Sequence, residues 1–208
     1  MNRPLFVIGG GGHCKVVVST LVQCGLSVDG ILDDDSSKVG SSIFGIPVRK
    51  TTADFISRKA EARAILAIGD NRTRKAVFGR FSTSQIEWIS VIHPRASVHP
   101  SAKIGAGTVI FAGAVIQPDA VIGDHCIINT GALIDHDCSF GKFCHIAPGC
   151  TITGGVRAEE GVFLGAGTTV IPYKNIGSWA ISGAGSTIIS DIPAEITVAG
   201  CPARQISR

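Results

Sequence analysis

A small α/β domain followed by a parallel β-helix is the fold class this sequence predicts, on three observations. Every sixth residue from Val98 to Ile188 is apolar, with Ala158 and Ser182 as the departures. Four residues beyond each comes a mostly small or β-branched one, as at Ala102, Thr108, Ala114, Cys126 and Cys150. Before residue 93 this period is absent, and short apolar runs alternate with helical stretches. One large and one small inward position in every six residues suits short strands, three to a coil, stacked as a triangular solenoid. The hexads make about five coils, roughly 25 Å tall at the spacing of paired strands. Two domains follow, 1–92 and 93–208, with His93-Pro94 at the junction.

In the first domain, Leu5 to Ile8 is a buried-strand run, Lys15 to Cys24 a helical stretch closed by Gly25, and Val28 to Leu32 a second strand. Ser36 to Thr52, rich in Ser and Gly, gives only a loose assignment. Ala64 to Ile68 reads as a strand, Asn71 to Phe81 as a helix capped by Asp70 or Asn71, and Ile86 to Ile92 as a further strand. Strands alternating with helices imply a small parallel, Rossmann-like sheet. In the second domain, glycines directly after the large residue, as at Gly105, Gly123, Gly141 and Gly165, are expected to leave room near the corners. The flat sides of such a prism call for association with further copies of the chain.

Composition narrows the function. With 208 residues, 45% of them hydrophobic, the chain is long enough to bury a core in one or two domains. A net charge of +3 without a dense Lys/Arg run gives no argument for nucleic acid or an anionic membrane as partner. No apolar stretch approaches the roughly 20 residues of a membrane span. The first twelve residues lack a signal-peptide apolar core, so a cytoplasmic location is expected. Of seven cysteines, Cys126, Cys138, Cys144 and Cys150 fall on the small inward position, which reads as burial rather than disulfide or zinc chemistry. Zinc-bearing β-helices of the carbonic-anhydrase kind pair two histidines five residues apart. His93, His99, His125, His136 and His145 hold no such pair, and no metal is expected.

Two segments carry chemistry. Leu5 to His13 runs strand, glycine loop, helix, which presents backbone N–H groups and a helix N-terminus to an anion such as phosphate. As a dinucleotide fingerprint it is incomplete, since Cys14 stands where the third glycine belongs, and a purely structural glycine turn is the alternative. Asp33, Asp34 and Asp35 follow about twenty residues on, where a strand end meets a ribose or base. A second glycine turn, Ile68-Gly69-Asp70-Asn71, ends another strand on the same edge. In the solenoid the cluster is Ile134-Asp135-His136-Asp137-Cys138, with His145 nine residues later. A neutral imidazole takes a proton from an attacking amine or hydroxyl if an acid steadies its other nitrogen, and both Asp135 and Asp137 are candidates. His136 stands two places after an inward Ile, near an outer corner.

The whole chain resembles the NeuD/PglD-like family of hexapeptide-repeat acyltransferases, which comprises sialic-acid O-acetyltransferases and nucleotide-amino-sugar N-acetyltransferases. The resemblance rests on Gly9 to His13, Leu32-Asp33-Asp34, Ala67 to Asn71, Ile134 to Cys138, His145 and the tail Val198 to Arg204. It implies a left-handed β-helix, an exception to the usual handedness of parallel crossovers, and a homotrimer. It implies His136 as general base, Asp137 as the acid raising its basicity, and His145 as an acetyl-CoA contact. Backbone at Gly154, Ala166 and Ala184 matches positions lining the acetyl-CoA groove between adjacent β-helices. Gly11, Gly12 and His13 match a pyrophosphate cradle, with Asp33, Asp34 and Gly69 near the base and ribose of a nucleotide-linked sugar. The first loop is all glycine where relatives often carry a small polar residue. The expected activity is direct acetyl transfer from acetyl-CoA to the amine of a UDP- or GDP-linked 4-amino-deoxy sugar in surface-glycan biosynthesis. The alternatives are acetylation of a sialic-acid hydroxyl and nucleotide-sugar binding without catalysis.

Overall fold

The computed structural model describes residues 3–57 and 61–206. The chain divides into two compact units, Met1–Val91 and Ile92–Arg208. Of the two predicted domains, residues 1–2, 58–60 and 207–208 lie outside the described residues.

The first unit runs β1 (Leu5–Ile8), α1 (Gly12–Gln23), β2 (Gly30–Leu32), β3 (Ser42–Ile43), β4 (Ile46–Lys50), α2 (Thr52–Ser57), β5 (Ala62–Leu66), α3 (Asn71–Gly79) and β6 (Ile86–Trp88). Its sheet has the order β3-β4-β2-β1-β5-β6, parallel throughout except for the β3–β4 hairpin. Val7 of β1 faces Ile31 on one side and Ile65 on the other, all fully buried. The carboxyl end of β1 is therefore the point where the sheet is extended to both sides, the place where open α/β sheets hold ligands. Helix α1 begins three residues before the apolar stretch at Lys15, because its first turn, Gly12-His13-Cys14, carries no amphipathic signal. Helix α3 is capped by Asp70, whose Oδ1 accepts from Thr73 N at 2.7 Å, and ends at Gly79. The loosely assigned stretch holds a tight hairpin at Phe44-Gly45, both with positive φ, and strand β4 beside β2. The predicted strand from Ile86 to Ile92 is two short strands, β6 and Val91–Ile92, the latter in the solenoid's eight-stranded sheet.

In the second unit, two-residue strands form three parallel sheets of eight, six and five strands, the last pairing of the eight-stranded sheet being antiparallel. Val109 pairs with Ile127 and Ile127 with His145, so one coil is eighteen residues, three hexads. Both inward positions are buried, from Ile110 and Ala114 to Ile188. The two departures are absorbed by neighbours. Ala158 is in register with Phe140, whose bulk fills the space above it. Ser182 shares a hydrogen bond of 2.8 Å with Thr168 Oγ1 and accepts from Gly165 N. The small position has a second use: Cys126, Cys138, Cys144 and Cys150 each direct Sγ to the carbonyl fifteen residues on, at 3.1, 3.3, 3.0 and 3.2 Å. Thr108 does the same with its hydroxyl at 2.8 Å. These S–H and O–H groups satisfy corner carbonyls that point inward.

The glycines after the large residue leave room at the corners as expected, and the next coil occupies it. A Cβ at Gly105, Gly123, Gly141 or Gly165 would lie 2.5–2.7 Å from backbone of the next coil, so they permit close stacking. The turn itself is made two places later, where φ is positive in hexad after hexad, at Gly131, Asp137, Gly149 and Gly155 among others. Thr197–Ala199 pairs antiparallel with Arg204–Gln205 at the far end of the solenoid.

Candidate active site

His136 stands on the edge where the prism's six-stranded sheet, through Leu133–Ile134, turns into the five-stranded one at Ser139–Phe140. Asp137 makes that turn at φ 58°, a conformation Asp tolerates better than most residues. Its carboxylate meets the preceding ring, with His136 Nδ1 to Asp137 Oδ2 at 2.7 Å. Asp135 accepts from the His136 backbone N–H at 2.8 Å. Of the two acids weighed from the sequence, Asp137 touches the imidazole and Asp135 acts through its charge. The hydrogen bond from Asp137, then the charge of Asp135, raises the His136 pKa above the usual histidine value. With Nδ1–H held by Asp137, Nε2 is the ring nitrogen left to accept a proton.

That nitrogen faces the next coil. A Cβ at Gly154 would stand 2.7 Å from both Cε1 and Nε2 of His136, so only glycine lets the ring lie there. Among the described residues no backbone hydrogen bond takes up the Gly154 N–H. Gly154 itself is buried beside the ring; a base of this kind next to an amide with no backbone partner is the pairing that attack on a carbonyl and stabilisation of its oxyanion require.

His145 lies elsewhere. It belongs to the eight-stranded sheet, the side of the prism opposite the His136 edge. It is buried, with Nε2 3.1 Å from Asn129 Nδ2 and its ring edge-on to Phe163 at 5.1 Å. Ala166 and Ala184, exposed and one coil apart, share another edge, between the eight- and six-stranded sheets. One chain therefore brings together His136, Asp137 and Gly154 but not His145, Ala166 or Ala184. Among the described residues no group of three or more His, Cys, Asp or Glu side chains is arranged to hold a metal ion.

In the first unit, Gly11, Gly12, His13, Asp33, Asp34 and Gly69 line one cleft of about 410 Å³ at the carboxyl end of β1. A Cβ at Gly9 would meet Ile68 at 2.8 Å, and φ there is +103°, so this glycine is structural. Gly11 and Gly12 have nothing within 4 Å of a Cβ and open to the cleft. Burial, with help from the Arg74 charge, lowers the His13 pKa to about 4, so the ring is neutral at pH 7 and offers a dipole rather than a charge. Asp33 Oδ2 accepts from Gly10 N at 2.5 Å and pairs with Lys38 Nζ at 3.2 Å. Burial opposes ionisation of Asp34, but hydrogen bonds from Thr52 and Arg80 outweigh it and hold the carboxyl below the usual range. Asp35 faces a different task, capping the short turn at Ser36–Lys38. Lys38 and Thr52 are cleft residues the sequence did not single out, since no local motif marks them.

Hexapeptide coils carrying a histidine–carboxylate pair on one edge, behind a glycine-loop α/β domain, define a hexapeptide-repeat acyltransferase. Residues 4–81 match the PglD N-terminal domain and residues 81–184 the GMPPB C-terminal domain. Perosamine N-acetyltransferase from Caulobacter crescentus, solved with CoA and GDP-perosamine, is 38% identical with a TM-score of 0.92 over 98% of this chain and 97% of its own. The acetyltransferase domain of PglB from Neisseria gonorrhoeae, solved with acetyl coenzyme A, is also 38% identical, with a TM-score of 0.91 over 99% of this chain and 100% of its own. The UDP-N-acetylbacillosamine N-acetyltransferase of Bacillus subtilis is 40% identical over 113 residues, 53% of this chain. The match spans 52% of that relative's length and smaller shares of the other curated relatives. The chain belongs to the PglD-like family of nucleotide-amino-sugar acetyltransferases, with the left-handed β-helix of that superfamily.

Proposed function

We propose that this protein transfers an acetyl group directly from acetyl-CoA to the amine of a UDP- or GDP-linked 4-amino-deoxy sugar that serves surface-glycan synthesis. The observation that carries the reading is the His136 Nε2 held against Gly154 by Asp137, in a chain whose relatives include enzymes solved with CoA and an amino-sugar nucleotide. His136 takes the proton as the amine attacks the thioester carbonyl. The Gly154 N–H steadies the oxyanion, and the CoA thiolate leaves with the proton that His136 returns. No covalent intermediate is needed, because holding both reactants together supplies the rate. The buried cysteines stay out of the chemistry: burial raises the pKa of Cys138 and Cys150.

The cleft at the end of β1 holds the nucleotide: amides at Gly11 and Gly12 meet the pyrophosphate, and Asp33, Asp34 and Gly69 bound the ribose and base. The protein works as a homotrimer, with His145, Ala166 and Ala184 of one chain facing His136 of another across the acetyl-CoA groove. The placement of these groups on different sides of one prism supports this reading. It acts in the cytoplasm. No helix among the described residues is long and apolar enough to cross a membrane, and all seven cysteines are free.

The test is incubation with acetyl-CoA and a panel of UDP- and GDP-linked 4-amino sugars, beside free and CMP-linked sialic acid. CoA thiol release with an acetylated amino sugar is expected. Acetylation of the sialic acid alone, or nucleotide binding without thiol release, would overturn the proposal.

A further inference from the structure

Tyr173 plays no part in the reaction above, yet it stands beside the reacting groups. The residue is 72% exposed, more than any other large hydrophobic residue among the described ones. It occupies the positive-φ corner position, at φ 58°, which eight other corners fill with glycine. Asp119, His125, Asp137, Phe143 and Trp179 fill the same position at other corners, and His125 and Trp179 likewise cover a corner glycine, at Gly107 and Gly161. What sets Tyr173 apart is that the glycine it covers follows Gly154.

The geometry gives that use. Tyr173 Cδ1 and Cε1 lie 2.4 and 2.6 Å from where a Gly155 Cβ would be, so the ring covers the Gly155 backbone. Its N–H donates to Gly154 O at 3.0 Å. His136 covers Gly154 from the preceding coil, and Tyr173 covers Gly155 from the following one. Imidazole and phenol thus flank one dipeptide, Gly154-Gly155, beside the amide assigned above to the thioester carbonyl. Tyr173 lies on the same edge as His136, where the six-stranded sheet turns into the five-stranded one, and along the solenoid it falls between Ala166 and Ala184 of the neighbouring edge.

We infer that Tyr173 determines acyl specificity: its ring is the end wall of the acyl pocket, admitting acetyl and turning away longer chains. The inference rests on the acetyl-transfer reading. The wall is the ring face, so the hydroxyl is dispensable.

The experiment compares kcat/KM for acetyl-, propionyl- and butyryl-CoA, at saturating amino-sugar nucleotide, in the native protein, Tyr173→Gly and Tyr173→Phe. Glycine suits this backbone, so Tyr173→Gly removes the wall and keeps the turn. The butyryl-to-acetyl ratio should rise about tenfold or more in Tyr173→Gly, the scale on which a pocket reads added methylenes. Tyr173→Phe should keep the native ratio. An unchanged ratio in Tyr173→Gly overturns the inference. So does complete loss of turnover, since a wall is not needed for acetyl transfer, or a KM rise confined to the sugar nucleotide. Failure of the native protein to acetylate any amino sugar counts against the acetyl-transfer reading instead, so the two failures are distinct.

Discussion

Adding a single methyl at Gly154 should disable the base without unfolding the coil. The Cβ of Gly154→Ala would stand 2.7 Å from His136 Cε1 and Nε2, where ordinary contact begins near 3.4 Å. The ring must retreat by about 0.7 Å or swing away, and it is free to do so because the His136 side chain is half exposed. Retreat opens the 2.7 Å hydrogen bond to Asp137 and draws Nε2 off the line of attack. Displacement of a catalytic group by about 1 Å costs on the order of a hundredfold in rate. Steady-state assays with acetyl-CoA and the accepted amino-sugar nucleotide should show that loss in kcat. The melting temperature and acetyl-CoA binding by calorimetry should stay close to native values. Native kcat in Gly154→Ala would refute the reasoning, because the ring could not then be working from the position described.

His136→Ala should lower kcat by about a hundredfold or more, the usual scale of lost general-base catalysis, and leave nucleotide binding intact by calorimetry. In the proposed reaction the neutral imidazole is the active form and its pKa is raised by the Asp137 hydrogen bond, so activity should fall as pH drops through a value above the ordinary 6.5. Asp137→Asn should move that limb of the kcat/KM profile to lower pH, and an unmoved limb would detach Asp137 from the base. Gly11→Val adds a side chain that meets no protein atom at its Cβ and projects into the cleft. It should raise KM for the sugar nucleotide about ten- to a hundredfold, the scale of lost charge-assisted hydrogen bonds, with KM for acetyl-CoA unchanged. Equal KM values would leave the glycine loop with a structural role only. If each site draws one group from each of two neighbours, as proposed, random trimers of His136→Ala and His145→Ala chains should regain about a quarter of native sites. Mixtures no more active than their parents would rule out shared sites.

The solenoid was legible because its rule is local and repeated: one large and one small inward residue per six, visible from Val98 to Ile188. What that rule hides is contact between coils. That Phe140 compensates Ala158, that Cys144 reaches the Glu159 carbonyl, and that Gly154 lies under His136 are relations across fifteen or eighteen residues. The His136–Asp137 pair was readable as neighbours in sequence; the residues alone left Asp135 and Asp137 open, the resemblance pointed to Asp137, and the turn geometry puts its carboxylate on the ring. In the first unit the glycine loop announced β1 and α1. The β3–β4 hairpin gave no alternating pattern, since β3 is two residues long and Pro47 interrupts β4. Thr52 and Arg80 meet Asp34 from eighteen and forty-six residues away, beyond any motif.

The pairing of strands eighteen residues apart, with inward donors reaching fifteen residues on, fixes how this solenoid can change length. A one-residue insertion shifts every following side chain to the opposite face and misdirects the thiol and hydroxyl donors together. Excising or duplicating a whole block of eighteen returns each residue to a neighbour of its own kind. Up to Ile188 growth and shortening are thereby quantised in complete turns, whereas the last coil, where Ile181 pairs with Thr197, has sixteen residues. Each turn added below His136 would lift the His136 edge by one strand spacing, about 4.8 Å. The distance from the solenoid's first strand to its reacting histidine is in effect a count of repeats, adjustable in whole units and otherwise locked.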